Sequence, residues 1–428
     1  MQTVNYGAFS LKVHQGLQAR GRAPLSGTIE VTRRCPLTCQ HCYNNLPVGD
    51  RHALRSELSL DELKRIMDEL AEAGCLWLLL TGGEVFARND FLQVYDYAID
   101  KGFLVTVFTN ATMITQAIAD HLAQKPPFSI EVTLYGYTRE TYERLTQLPG
   151  SYDRCMRGIA LLKERGLPLK LKSVATTLTK DEIGLMQSLA EDELGLEFKF
   201  DGLINPRVDC SQSPLHVRLS PMELVQLDMQ DERRVAEWKK LAEHSPALVN
   251  PPSDEVYHCG GGVNSFAIDP WGKLSICVLS QQEHFDLRTG SFHEGWEGFL
   301  QQVRHKKRTR ITKCVRCGIK DLCGMCAANG ELHHDGDAEK PVEFLCETAH
   351  LRAETFGIHV PEHGECEYCE GGVHHPRVVK DAKVLQQEAS KPAQAGAAGW
   401  RAPSKRRLTL ADSPSSDAGC GGGCASCH

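Results

Sequence analysis

The chain has 428 residues, 41% of them hydrophobic and 24% charged, with a formal net charge of −7. That length suits two domains, or one large barrel with an appendage, at ~150 residues per domain, and the acidic balance excludes a general attraction to nucleic acid. No apolar run approaches the ~20 residues of a bilayer span, so no membrane association is expected.

The opening stretch MQTVNYGAFSLKVHQGLQARGR has no basic region followed by an apolar block, which reads as a cytoplasmic protein with residues 1–27 as an extension. From 28 to 210, apolar strand-like runs alternate with amphipathic helical patterns. The runs are GTIEVT (27–32), LWLLLTG (76–82), LVTVFTN (104–110), FSIEVTLYG (128–136), LKLKSVATT (169–177) and EFKFDGLI (197–204). Strands that are each followed by a helix or loop predict an α/β fold with a parallel sheet, here a partial (β/α)6 TIM-like barrel. Ser59-Leu-Asp-Glu62 and Thr179-Lys-Asp-Glu182 are capping-box patterns, and Leu60, Leu63, Ile66, Met67 and Leu70 fall on one helical face.

Residues 211–254 read as a helical bridge opened by the cap Ser220-Pro-Met-Glu223. Short strands, glycines and dense cysteines follow over 255–350, then a Cys/His-containing extension over 351–378. Residues 379–428 are rich in Ala, Gly, Pro and Ser without periodicity, and predict a disordered linker with a Cys-rich tail. The basic run RHKKRTR at 304–310 is either a solvated face or a dock for an acidic electron donor or peptide leader.

Eighteen cysteines are the unusual count. With no export signal to carry the chain out of a reducing compartment, their grouping points to metal rather than disulfides. Cys35, Cys39 and Cys42 lie on the loop after the first strand, at the carboxyl edge where parallel sheets place their active sites. Three thiolates hold three irons of a [4Fe-4S] cube and leave the fourth open, the feature that separates a catalytic metal centre from a structural one. A zinc knuckle completed by His41 or a remote residue is the alternative. The second strand ends in Thr81-Gly82-Gly83-Glu84, where the glycines permit close backbone approach and the carboxylate can accept hydrogen bonds from an ammonium group.

Cluster loop, glycine pair and strand rhythm together resemble the radical SAM superfamily over roughly 28–205. In that family the open iron is chelated by S-adenosylmethionine, whose cleavage yields a 5'-deoxyadenosyl radical that removes hydrogen from an unactivated carbon. The resemblance implies cluster ligation by Cys35, Cys39 and Cys42, and cofactor contacts from Tyr43, Gly82, Gly83 and Glu84. It extends to Asn110 and Ser173 as ribose or carboxylate contacts, although each also reads as a plain strand-end polar residue. Val85 stands where the family commonly has proline.

The later cysteines run Cys259-x12-Gly272-x4-Cys277, then Cys314-x2-Cys317-x5-Cys323-x2-Cys326, then Cys346. This resembles the SPASM extension of radical SAM enzymes, which carries two auxiliary iron-sulfur clusters. The resemblance implies that Cys314, Cys317, Cys323 and Cys346 close one cluster, while Cys259, Cys277 and Cys326 hold the other, one ligand short, with His258 or a late cysteine as candidates for the gap. A pair of zinc ribbons is the alternative. The family commonly has three residues between the fifth and sixth cysteines; here only Gly324 and Met325 intervene.

Cys75, Cys155 and Cys210 read as isolated structural thiols, and Cys366-x2-Cys369, followed by His374 and His375, as a reduced surface pair with zinc or a spare iron ligand as the alternative. Cys420, Cys424 and Cys427 repeat the first cluster's spacing but lack its strand and Gly-Gly-Glu. They suit a metal-scavenging tail, ligands for a further cluster, or a peptide modified in cis. The expected function is radical modification of a peptide or protein side chain, with a flavodoxin- or ferredoxin-type donor. Tetrapyrrole processing is the enzymatic alternative and a non-catalytic iron-sulfur or zinc carrier the alternative of another class.

Overall fold

Strand β1 (Ser26–Thr32) sorts its side chains by parity: Ile29 and Val31 enter the apolar core, and Glu30 and Thr32 face the opposite side of the sheet. In the computed structural model, which describes residues 21–243, 254–360 and 365–390 together with Val13 and Gly16, five more parallel strands follow β1 in chain order. They are β2 (Trp77–Gly82), β3 (Leu104–Thr109), β4 (Ser129–Thr133), β5 (Leu169–Val174) and β6 (Glu197–Asp201). Each matches a predicted run. Helices α1 (Leu60–Glu72), α2 (Phe91–Asp100), α3 (Gln116–Gln124), α4 (Arg139–Thr146), α5 (Ser151–Glu164) and α6 (Ile183–Ser188) connect them. Leu63, Ile66, Met67 and Leu70 of α1 are at most 1% exposed, so the predicted stripe is the buried one.

Both partners of the capping box at Ser59 and Glu62 are engaged, and Ser220 with Glu223 forms the same device at the start of α7 (Pro221–Met229). Thr179 and Glu182 do not. Glu182 instead accepts from the backbone N–H groups of Tyr137 and Thr138 at 2.7 and 3.0 Å and from the Thr138 and Thr141 hydroxyls, so it anchors the start of α4 rather than its own helix.

The sheet does not stop where the composition changes. β7 (Ser265–Ile268) pairs in parallel with β1, and β8 (Lys273–Ser275) and β9 (Phe285–Asp286) extend it antiparallel, giving the order β9-β8-β7-β1-β2-β3-β4-β5-β6. The cysteine-dense region is therefore continuous with the barrel edge through hydrogen bonds. A second join is electrostatic. Asp228 of α7, 2% exposed, accepts from Arg234 of α8 (Glu232–Glu243) at 2.7 Å and from Arg352 of α10 (Glu343–Phe356), which follows the short α9 (Ala327–His333), at 2.8 Å.

One expectation is corrected. Helix α11 (His375–Ser390) occupies the start of the span predicted to be a disordered linker; Val378, Ala382 and Leu385 form a buried stripe that an average over the polar residues between them conceals. The tail cysteines Cys420, Cys424 and Cys427 lie outside the described residues. The basic run is a largely exposed, ion-paired face: Arg304 and His305 meet Glu255, Lys306 meets Glu283, Lys307 meets Asp254 and Arg310 meets Asp337. No helix of the described residues is long and apolar enough to cross a membrane.

Candidate active site

The register between β1 and β2 shifts between Glu30 and Thr32, and the chain then turns into a short parallel pair, Arg34–Cys35 against Leu46–Pro47, which closes the cysteine loop at its base. Arg34 clamps that base. It is paired with buried Glu57 at 2.9 Å and donates to the Ala87 carbonyl at 3.0 Å. From beyond β6, Arg207 donates to the Cys42 carbonyl at 3.1 Å and to the Asn45 side chain and carbonyl at 2.9 Å. The loop is thus held on both sides.

Cys35, Cys39 and Cys42 converge. Burial raises the pKa of each thiol, and the charges of neighbouring thiols add to the rise at Cys35 and Cys39. Asn110 donates to the Cys35 sulfur at 3.5 Å, and the Tyr135 hydroxyl hydrogen-bonds Cys39. His41 packs on the Tyr135 ring at 5.4 Å between centroids, and burial pulls its pKa down to about 4, so the imidazole is neutral.

The glycine pair, expected to admit a ligand, first admits the cluster loop's own backbone. A Cβ on Gly82, whose φ is +147°, would lie 1.9 Å from the Thr32 carbonyl oxygen, and one on Gly83 2.5 Å from that of Arg33. Gly83 and Glu84 donate to the Thr32 and Arg34 carbonyls of that backbone at 2.8 and 3.0 Å. Glu84 then reaches β3. Its carboxylate accepts from the Thr109 hydroxyl at 2.7 Å and from the Asn110 and Phe86 N–H groups at 2.8 and 3.3 Å, while burial pushes its pKa up to about 7.

Tyr43 donates to Glu30 at 3.2 Å, and Asn44 to the same oxygen at 2.5 Å; Arg33 binds the other oxygen at 2.9 Å and stacks over Trp271. Sequence reasoning does not reach this buried network at Glu30. The available signal is an acid at the parity facing away from the core in a strand whose neighbours are all buried. Glu30→Gln removes the carboxylate from a guanidinium buried to 8% exposure; the expected loss is about 3–5 kcal/mol, read as a lowered thermal midpoint.

Ser173 is a correction. Its hydroxyl faces Met186 at 3.6 Å, within the layer between sheet and helices. The next residue back, Lys172, has the opposite parity. Its ammonium lies over the Phe108 ring and 3.5 Å from Glu131, which Lys199 also meets at 3.1 Å. Burial pulls the Lys172 pKa down to about 7. Glu131, Lys172 and Lys199 therefore form a charged group on the barrel side of the sheet, the side that Glu30 also faces.

The later cysteines form two groups. Cys346 is hydrogen-bonded to Cys323, and burial, followed by the charges of Cys346 and Cys317, pushes Cys314 up to about 11. Cys277 and Cys326 pack with Tyr43 around Leu279, Ala328 and Leu332, and Cys259 lies beside Ile276 across Gly261. Gly324, at φ +69°, ends the helix Lys320–Cys323 in the left-handed conformation, which reverses the chain within the shortened spacing. His258 meets Arg308 at 3.2 Å. Cys75 and Cys155 are buried; Cys210 is partly exposed.

Residues 29–187 match the family model described as "Radical SAM superfamily". That segment is a radical SAM domain. The later cysteines follow SPASM spacing except for the shortened Cys323–Cys326 interval, and the relatives include SPASM and peptide-modifying radical SAM enzymes. The chain is 25% identical over 336 residues to the AdoMet-dependent heme synthase of Methanosarcina barkeri, covering 72% of this chain and 93% of the relative. To the Bacillus subtilis antilisterial bacteriocin subtilosin biosynthesis protein AlbA it is 26% identical, covering 72% and 68%. Its fold is that of Streptococcus suis SuiB bound to S-adenosylmethionine, with a TM-score of 0.57, 17% identity and coverage of 81% and 82%; SuiB is also solved with its precursor peptide SuiA. A radical SAM domain implies a [4Fe-4S] cluster and S-adenosylmethionine. The donor set fits that cluster: the loop presents three converging thiols and supplies no fourth.

Proposed function

We propose that this radical SAM enzyme modifies a side chain of a peptide or protein. The observation that supports the proposal is that Tyr43, which follows Cys42, and the later cysteines Cys277 and Cys326 pack on one small apolar cluster of Leu279, Ala328 and Leu332. An iron-sulfur centre held there would lie close to the first cysteine loop. Cys35, Cys39 and Cys42 would hold the catalytic cluster, and Glu84, which also accepts from Thr109, Asn110 and Phe86, would be the carboxylate offered to the methionine amine. When bound, cluster and S-adenosylmethionine together supply a 5'-deoxyadenosyl radical. Asn110 fixes Cys35, Arg207 fixes the backbone at Cys42, and Tyr43 joins the loop to Glu30.

Cys314, Cys317, Cys323 and Cys346 would hold one auxiliary cluster and Cys259, Cys277 and Cys326 the other. A flavodoxin- or ferredoxin-type protein would deliver the electron. AlbA by its name and SuiB by its bound precursor support a peptide substrate. The second reading, a tetrapyrrole substrate, is favoured by the extent of the match to the heme synthase.

The test is anaerobic turnover with S-adenosylmethionine and a reductant, comparing small Cys- or Gly-rich peptides encoded beside the gene with iron porphyrins. A peptide that stimulates deoxyadenosine release and loses hydrogens in its mass spectrum is the expected result. Stimulation by porphyrin alone would replace the first reading with the second. About twelve irons per chain are expected, at four per cubane.

A further inference from the structure

The Cys366-x2-Cys369 turn acquires a partner from another element. His350 of α10, 5% exposed, places Nε2 3.3 Å from the Cys369 sulfur and 3.6 Å from that of Cys366, and the ligand atoms of all three lie within 4.8 Å of one another. His374 and His375, the sequence candidates, are not in this group; the His374 ring lies against Tyr368 instead.

The imidazole is already oriented. Its Nδ1 lies 2.7 Å from the Cys346 carbonyl oxygen one helical turn earlier, a bond that puts the proton on Nδ1 and directs the Nε2 lone pair at the two sulfurs. Metal-ligating histidines are held in this way, with the remote nitrogen donating to a carbonyl or carboxylate. The separations fit as well. A tetrahedral ion with Zn–S of ~2.3 Å and Zn–N of ~2.0–2.1 Å sets nitrogen and sulfur ~3.6 Å apart.

We infer that His350, Cys366 and Cys369 supply three of the four ligands of a single zinc ion, which lies beside the SPASM-pattern thiol Cys317 without using it. Mixed imidazole and thiolate donors suit this borderline ion, and donors this close together converge on one metal. The surroundings explain what it would do. The CxxC turn leads into α11, which packs on α10, and Lys313 ties the same turn to α10 by donating to both Glu367 and Glu343 at 2.9 and 2.8 Å. Because Cys346 and His350 stand one turn apart, zinc pins the helix that carries the last cysteine of the SPASM set.

The experiment measures zinc and iron in the full chain purified anaerobically, with three variants: C366S/C369S, H350Q, and a tail variant C420S/C424S/C427S. Wild type and the tail variant are expected to hold about one zinc per chain, the stoichiometry of a single mononuclear site, and the other two to lose it. Zinc retained in C366S/C369S, or lost with the tail cysteines, overturns the assignment. So does a wild type without zinc whose iron falls by about four per chain in C366S/C369S, which would make these cysteines cluster ligands. Should those variants fail to fold, X-ray absorption at the zinc edge of the wild type decides: sulfur with one nitrogen neighbour is expected, and a shell of sulfur alone rules His350 out.

Discussion

Cys39→Ala is expected to leave a folded protein that has lost 5'-deoxyadenosine formation by about a thousandfold or more, which corresponds to ~4 kcal/mol of barrier. The size follows from the site's construction. The loop offers three thiols and no substitute, because His41 is turned onto Tyr135 and Asn110 is already committed to Cys35. Two thiolates cannot hold a cube whose fourth corner must stay open for the cofactor. Iron should fall by about four per chain, while any iron that the later cysteines would hold, as proposed, should remain, because those cysteines sit on other elements. Cys75→Ala is the control: that thiol is buried, contacts the Leu25 and Trp77 carbonyls, and is remote from the loop. Undiminished turnover in Cys39→Ala would remove the catalytic assignment.

What is legible in the sequence is what one element determines alone. The six strands can be read because their apolar runs are bounded by turns, and the α1 stripe because its period and its cap coincide. Glu182 cannot be read, because its partners stand at the start of α4, two helices earlier; a capping pattern gives the residues without saying whose helix they serve. Ser173 fails by parity. Strand β5 is recognisable, but which of Lys172 and Ser173 faces the barrel depends on register with β4, where Lys172 stands opposite Thr133. The pairing of His350 with Cys366 and Cys369 lies beyond reach for a further reason: local spacing nominates His374 and His375, whereas the fold supplies a histidine from the preceding helix. Glu30 is legible in principle, as an acid where the strand has no solvent face.

Gly82→Ala carries the largest expected structural effect, because backbone and packing oppose it together. At φ +147° an L side chain is strained by about 1–3 kcal/mol. The new methyl would also stand 1.9 Å from the Thr32 carbonyl oxygen, a backbone atom that cannot rotate away, adding about 1–3 kcal/mol as the strands part. Thr32 lies shortly before Cys35, and the Gly83 N–H to Thr32 bond of 2.8 Å is one of those that position the loop. Displacement there should cost the first cluster before it costs the fold: iron lower by about four per chain, deoxyadenosine absent, later iron retained. Gly74→Ala separates the two contributions. Gly74 has φ +87°, but nothing lies within 4 Å of where its new methyl would stand, so it should show the backbone penalty alone, with full iron and a smaller fall in thermal midpoint. If the two variants behave alike, the close approach of β2 to the cysteine loop is not what holds the site together.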